Sequence, residues 1–413
     1  MKPVREHNLG LVLRQVAEQG PRSRATLALE TGLNKSTVSS LVADLIDAGL
    51  LRDSPVEEER PGKVGRPPQS VELHPGGPFV LGLEINVDYL AVWATDLAGV
   101  VRHRSFVTND NRSASPEDVI GALARLVVIA LDQPFAGSRQ PMLATVAVPG
   151  LVDPSGELAV APNLGWVDVP VAEILADRFH AHDLAVVVDN EANLAALGEL
   201  WFGGHQDLDD FIHVSGEIGV GGGVVVGEEL FRGVRGFAGE IGHVVVQPDG
   251  PHCRCGARGC LEQVAGQEAI LRAAGLTGAV GTSLGQTRGS SVAELLARAR
   301  AGDPDTLRAV AEAGRALGIG LSATVNIVDP STVVLGGLYA ALEPWLSKPL
   351  LEELAERAIT HRWSPVRVLA SRLGPDAAVR GAAGAVVKRV LSEPAAVFRA
   401  TGRHVAPIPP RPG

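Results

Sequence analysis

Apolar positions recur at helical spacing along the first fifty residues and then pass into runs of strand character. Over residues 8–19, Leu9, Val12, Leu13 and Val16 fall on one face, which predicts a helix ended by Gly20-Pro21. Ser23 is placed to cap a second short helix, R-A-T-L-A-L-E-T, with Leu27, Ala28 and Leu29 turned inward. Gly32 supplies a tight turn and Asn34 the next cap. The third helix carries Val38, Leu41, Val42, Leu45 and Ile46 as its buried stripe, and Gly49 closes it. Residues 49–73 then hold two short apolar runs either side of an acidic run and P-G-K-V-G-R-P-P-Q. That pattern predicts two strands joined by a basic, Gly/Pro-rich tip.

Past His74-Pro75-Gly76-Gly77 the pattern changes. The runs F-V-L-G-L-E-I, L-A-V-W-A-T-D-L and A-G-V-V with a further strand precede a helix from about Pro116 to Leu131. L-A-T-V-A-V-P-G, a helix at 170–180, L-A-V-V-V-D and a helix from Glu191 to Leu200 follow. Then come F-I-H-V-S-G, G-G-G-V-V-V-G, long helices near 291–327, T-V-V-L-G-G and a terminal helix at 376–391. Strands alternate with helices, which implies α/β layers. The hairpin-first βββαβα order occurs twice. It fits a two-lobed actin-like or hexokinase-like (ribonuclease H-like) fold with a ligand cleft between the lobes. The boundaries expected are 1–75 for a winged helix-turn-helix and 76–395 for the large region. Its first lobe takes about 79–190 plus the C-terminal helix at about 376–391, its second about 191–375. Residues 396–413 are read as a disordered tail.

Charge sharpens the division of labour. The net charge of -10 opposes nucleic-acid binding by the chain as a whole, but residues 1–75 hold 10 basic and 10 acidic side chains. The other 27 basic and 37 acidic side chains carry the whole deficit, so a DNA contact belongs to the N-terminal segment. Asn34, Lys35, Ser36, Thr37, Ser39 and Ser40 are short polar residues on the first turns of the third helix. Such side chains meet base edges and phosphates in a major groove. Lys63 and Arg66 sit at the wing tip, within reach of phosphates or a minor groove. One winged module reads a half-site, so a homodimer or a dimer of dimers on operator DNA is expected. No apolar run is long enough to cross a bilayer, and M-K-P-V-R-E-H-N lacks a following apolar core. A soluble, cytoplasmic protein with no membrane partner is expected.

All three cysteines fall within eight positions, Cys253, Cys255 and Cys260, with His243 ten residues ahead of the first. One His and three Cys form a ligand set for tetrahedral zinc with no open position, which argues for a structural ion, one per chain. Three reduced thiols in a Gly-rich loop are the plainer alternative. Gly256 and Gly259 favour the metal, since they give a short loop the freedom to wrap one. An odd cysteine count argues against disulfides. Glu240 and Glu262 bracket the cluster and are suited to accept hydrogen bonds from the hydroxyls of a polar ligand such as a sugar.

The motifs A-V-P-G (147–150), P-N-L-G-W (162–166), D-N-E-A-N-L-A-A-L-G-E (189–199), S-G-E-I-G-V-G-G-G (215–223), G-F-A-G-E-I-G-H (236–243), C-R-C-G-A-R-G-C-L-E (253–262) and V-V-L-G-G (333–337) span most of the chain. With them the chain resembles the family that groups bacterial repressors, open reading frames and sugar kinases (ROK), in its regulator branch. The resemblance implies that Asn190, Glu191, Glu240, His243 and Glu262 line a sugar site, with Gly150 and Asn163 beside them. It also implies that His243 both ligates zinc and meets the sugar.

The family's kinases hold ATP with Asp-x-Gly-Gly-Thr, where glycine lets backbone amides approach phosphate. Here Glu84, Asn86, Val87 and Asp88 stand in those places, with Val87 expected to block the phosphate sterically. In the second phosphate loop Glu217 replaces Thr. A carboxylate near phosphate opposes ATP by about 1–4 kcal/mol for each contact at ordinary effective dielectrics. The expected function is therefore a sugar-responsive repressor with a sensor derived from a kinase. The alternatives are an active sugar kinase with an appended DNA-binding domain and a regulator sequestered by a protein partner. Glu191 replaces the shorter Asp with which, as the resemblance implies, hexose binders meet the 4- and 6-hydroxyls. Its extra methylene would fill the space of a missing hydroxymethyl group. Together with the likeness of V-V-V-D-N-E-A-N-L-A-A-L-G-E to xylose repressors, this makes D-xylose the expected effector and glucose the runner-up.

Overall fold

The computed structural model describes residues 2–54, 69–133, 135–136, 141–205, 207–276 and 291–394. Lys63, Arg66 and the tail 396–413 lie outside the described residues. The N-terminal part consists of α1 (Lys2–Gln19), β1 (Arg22–Ser23), α2 (Arg24–Thr31), α3 (Lys35–Asp47), β2 (Leu51–Asp53) and β3 (Ser70–Leu73). Both caps form as the sequence requires. Ser23 Oγ accepts from the Thr26 amide at 3.1 Å, and Asn34 Oδ1 from that of Thr37 at 2.8 Å. β3 pairs with β2 and β1, both antiparallel, so two strands of a wing are present. Two expectations change. Helix α1 begins six residues earlier than the apolar stripe indicates, its first turns tied to α3 by an Arg5–Asp44 ion pair. Leu29 is 85% exposed, because a helix that buries Leu27 and Ala28 turns the next residue a further 100° or so toward solvent.

The large region begins with β4 (Phe79–Ile85), β5 (Tyr89–Asp96), β6 (Val101–Thr108), α4 (Pro116–Leu131) and β7 (Pro141–Val148). A small antiparallel sheet of β8 (Leu151–Val152), β9 (Leu158–Ala161) and β10 (Trp166–Val169) follows. The first lobe closes with α5 (Val171–Arg178) and β11 (Ala185–Asn190). Next are α6 (Glu191–Phe202), β12 (Phe211–Gly216), β13 (Val220–Val226), β14 (Glu229–Leu230), α7 (Glu262–Ala265), α8 (Gln267–Ala273), α9 (Ser291–Arg300) and α10 (Pro304–Val328). The last are β15 (Thr332–Gly336), α11 (Gly337–Arg357), β16 (Arg367–Ala370) and α12 (Ala377–Ser392).

The two main sheets run β11-β7-β4-β5-β6 and β14-β13-β12-β15-β16. Each is an antiparallel meander of three strands extended by two strands parallel to its first. The same order therefore occurs twice, as the hairpin-first pattern predicts. Strands β4, β5, β7, β12 and β15 bury nearly every side chain, which is why they read as continuous apolar runs rather than alternation.

Helix α12 joins the parts. It lies against α6 so closely that a Cβ on Gly381 would overlap the Leu194 carbonyl. Its far end meets α1, where a Cβ on Gly10 would overlap the carbonyl of Ser392. Val12, Leu13 and Val16 of α1 share one apolar cluster with Val386, Val390 and Leu391 of α12 and with Met142, Leu143, Ala185 and Val187 of the first lobe. At about 1.5–3 kcal/mol for each fully buried aliphatic side chain, this shared core fixes the helix-turn-helix to the first lobe.

Candidate functional site

The loop between β14 and α7 brings His243, Cys253, Cys255 and Cys260 together. One ligand atom from each lies within 4.8 Å of all the others. His243 Nδ1 is 3.7 Å from Cys253 Sγ, and Cys255 Sγ is 3.7 Å from Cys260 Sγ. Zinc–sulfur bonds of about 2.3 Å in a tetrahedron place ligand atoms about 3.8 Å apart, so the spacing suits such an ion. Cys253 and Cys260 are buried, Cys255 exposed. Burial pushes the Cys253 thiol well up, and its hydrogen bond to Glu262 Oε1 at 2.9 Å adds to this. Burial also raises Cys260. A cation is the element that would favour the thiolates. The chain thus holds a His/Cys3 group able to bind a metal ion.

His243 lies on a 3-10 turn, Ile241–His243, packed against β13. Its Nδ1 faces the thiols and Glu262, at 3.9 Å, while its Nε2 faces Glu240 at 3.7 Å. The ring therefore has one edge on the sulfur cluster and one on the acidic side chain. Glycines let the neighbouring segments close in. A Cβ on Gly222 would stand 2.5 Å from the Gly239 carbonyl, and one on Gly219 2.6 Å from Glu262 Oε2 and 3.1 Å from Asn163 Nδ2. Glu262 of the second lobe and Asn163 of the first thus approach one point.

Asn190 caps α6, its Oδ1 accepting from the Asn193 amide at 2.9 Å, and its Nδ2 donates to the Gly150 carbonyl at 2.8 Å. Glu191 is buried on the first turn. Its Oε2 would lie 3.6 Å from a Cβ on Gly221, on the strand whose next residue, Gly222, has the Gly239 carbonyl alongside. The structure thus gathers Gly150 with Asn190, Asn163 with Glu262, and Glu240 with His243, in segments packed around β13. Asp189, next to Asn190, is held by two hydrogen bonds from Arg232 at 2.8 and 2.6 Å.

At the turn between β4 and β5, Tyr89 donates to Glu84 Oε1, and Asn86 Nδ2 donates to the Tyr89 hydroxyl at 3.0 Å. Asn111 braces the turn by donating to the Asn86 and Tyr89 carbonyls at 2.6 and 3.1 Å. Val87 does not project into the cleft. It is buried in the core of the first lobe, so the steric objection to phosphate at this position falls. Burial, reinforced by Glu191, pushes Glu84 up to about 8; burial pushes Glu191 up to about 7. Glu217 is raised well above the carboxylate range by burial, then by Glu191, Glu84 and Asp88.

On α3, Asn34, Lys35, Ser36, Ser39 and Ser40 are exposed and Thr37 is half-buried. Ser36 Oγ donates to Asn34 Oδ1 at 2.7 Å, and Ser39 Oγ to the Lys35 carbonyl at 2.9 Å. Ser40 accepts from Arg5 of α1 at 3.1 Å.

The description of the ROK family matches residues 80–389, and that of the MarR family residues 10–60. The chain belongs to the ROK family. It is 30% identical to the xylose repressor of Bacillus subtilis over 395 residues, 94% of this chain and 97% of that one. The crystal structure of a ROK family transcriptional regulator, a homologue of the E. coli MLC protein, superposes with a TM-score of 0.78 at 25% identity, covering 97% and 99% of the two chains. A ROK family glucokinase from Streptomyces griseus, in complex with glucose and AMPPNP, has a TM-score of 0.62 at 29% identity and covers 74% of this chain and 98% of its own. The ROK fold here is thus the actin-like sugar-kinase fold with a helix-turn-helix in front. No helix among the described residues is long and apolar enough to cross a membrane.

Three side chains in contact with these residues escaped the sequence reading: Tyr89, Arg232 and Arg254, the last donating to Asn163 Oδ1 at 3.4 Å. Arg232 offered no signal, since its partner Asp189 is 43 positions away. Arg254 sits between two cysteines, and that placement was the available hint.

Proposed function

We propose that this chain is a sugar-responsive transcriptional repressor, released from operator DNA by a monosaccharide bound between the lobes. The observation that carries the reading is one apolar core linking a capped, exposed α3 to the domain that presents Asn190, Glu191, Glu240, His243 and Glu262. Full-length similarity to a xylose repressor supports it. Asn34, Lys35, Ser36, Thr37 and Ser39 meet DNA, with Lys63 and Arg66 at the wing tip. The chain acts as a dimer, because a two-fold operator requires two such helices. A structural zinc at His243, Cys253, Cys255 and Cys260 fixes the loop that carries the ligand-facing edge of His243. Sugar hydroxyls are bound by Asn163, Asn190, Glu191, Glu240, His243 and Glu262, beside Gly150.

D-xylose is the preferred effector. The carboxylate of Glu191 occupies the space a hexose would need for its hydroxymethyl group. Calorimetry on the wild type is expected to show tighter binding of xylose than of glucose. Glu191→Asp shortens the side chain by one methylene and is expected to move that ratio toward glucose by about tenfold, the equivalent of 1.4 kcal/mol. An unchanged ratio, or a wild-type preference for glucose, contradicts the assignment.

The domain does not phosphorylate its sugar. Glu84 and Glu217 stand where the family resemblance implies the two phosphate loops, and neither has a cationic partner among the described residues. Incubation with ATP, magnesium and xylose or glucose is expected to yield no more sugar phosphate than Glu191→Ala does. Turnover above that control supports the kinase reading instead.

A further inference from the structure

Three acidic side chains from distant parts of the sequence lie near enough to act on one another: Glu84 on β4, Glu191 on α6 and Glu217 after β12. Glu84 and Glu191 are buried and Glu217 is half-buried, and the fields of Glu84 and Glu191 act on Glu217. The other titratable groups acting on them are Asp88 from the β4–β5 turn, Tyr89 from β5 and Asp376 ahead of α12. Tyr339 of α11 is a further fully buried neighbour of Glu217. Among the described residues no lysine, arginine or histidine charge acts on Glu191 or Glu217.

Two buried polar atoms in this cluster lack a hydrogen-bond partner, Glu84 Oε2 and Ser215 Oγ. Ser215 is 3% exposed, and its Oγ lies 3.1 Å from the same built Gly221 Cβ that stands 3.6 Å from Glu191 Oε2. The serine and the carboxyl are thus directed at one point. Among the described residues only the His/Cys3 group gathers three or more ligand atoms within 4.8 Å. The three carboxyls are too widely spaced to share one metal ion in this arrangement. Protons remain to balance their charge, since isolated buried carboxylates are costly.

We propose that binding of sugar hydroxyls at Glu191 is coupled to loss of one proton from the carboxyl cluster of Glu84, Glu191 and Glu217, so that the effector is sensed together with pH. This rests on the sugar-site reading given above. Hydroxyl groups donate more strongly to a carboxylate than to a neutral acid. Sugar therefore selects the ionised form of Glu191 and lowers its affinity for the proton. Burial raises both Glu84 and Glu217, which disfavours charge on them beside an ionised Glu191. The sign follows from linkage. A ligand that binds the deprotonated form gains affinity as pH rises through the titration of the free group and then levels off.

The test is calorimetry of the full chain with xylose, and with glucose, from pH 6 to pH 8. With the free Glu191 titrating at about 7, affinity is expected to be about tenfold tighter at pH 8 than at pH 6. At pH 7, repeating the titration in two buffers of different ionisation enthalpy is expected to show release of about half a proton per sugar bound. Glu191→Gln is expected to flatten the profile, a change that a purely structural role would not produce. Constant affinity with no proton release overturns the proposal. So does an unchanged pH profile in Glu191→Gln, which would move the titration to another group. If neither sugar binds at any pH, the sugar-site reading fails and takes this proposal with it; binding that is flat in pH removes the proposal alone.

Discussion

Replacing Cys260 with serine is expected to empty the metal site and abolish the response to sugar, the largest single-residue effect anticipated in this protein. Cys260 is fully buried and Leu261 beside it sits in the core of the second lobe. The serine hydroxyl is a poor ligand for zinc. It is also left in a buried position where an unsatisfied hydroxyl costs about 1–3 kcal/mol. Structural zinc contributes about 10–16 kcal/mol of apparent binding free energy in small zinc-finger peptides at neutral pH. A fraction of that suffices to hold the segment from His243 to Glu262 in place. Without it the ring of His243 loses the fixed edge against Cys253, and Glu240 and Glu262 lose their common neighbour. Elemental analysis of protein purified without added metal is expected to give one zinc per chain for the wild type and under about a tenth of that for Cys260→Ser. Sugar affinity should fall at least tenfold, or by about 1.4 kcal/mol. A variant that retains a full equivalent of zinc, or that binds sugar normally without it, contradicts the assignment.

Much of this molecule could be read from its sequence because local signals and global fold agree. Ser23 and Asn34 cap the helices they were expected to cap. Helix α4 runs over the expected Pro116–Leu131, preceded by the Ser115 cap and opened by proline. The His/Cys3 group was legible because all three cysteines and a histidine lie within eighteen positions. What escaped depends on tertiary context. Helix α11 contains Pro344 and Pro349, which read as breakers, and the burial of Leu342, Leu346, Leu350 and Leu354 against α10 outweighs them. The small sheet of β8, β9 and β10 is made of strands of two to four residues, too short for periodicity to register. Glu84, Glu191 and Glu217 meet only because α6 and two separate sheets bring them together, so no spacing in the sequence announces the carboxyl cluster. Val87 was placed by its motif position at the phosphate, whereas its apolar side chain belongs to the core.

The second large effect is loss of DNA on sugar binding. Glu191 stands at the start of α6, α6 packs along α12, and α12 ends against α1. Closure of the lobes on a sugar is expected to shift α6 against α12 and, through the shared core, to move the helix-turn-helix. A ligand moves this equilibrium only by its differential affinity for the two states. Couplings of this kind amount to about 1–3 kcal/mol, or about 5–150-fold in affinity. The decisive measurement is a mobility-shift titration of the full chain on its operator at fixed salt, with and without saturating D-xylose. Operator affinity is expected to fall within that range with xylose and to fall less with glucose at the same concentration. Affinity unaltered by either sugar, or tightened by them, would contradict a repressor released by its effector.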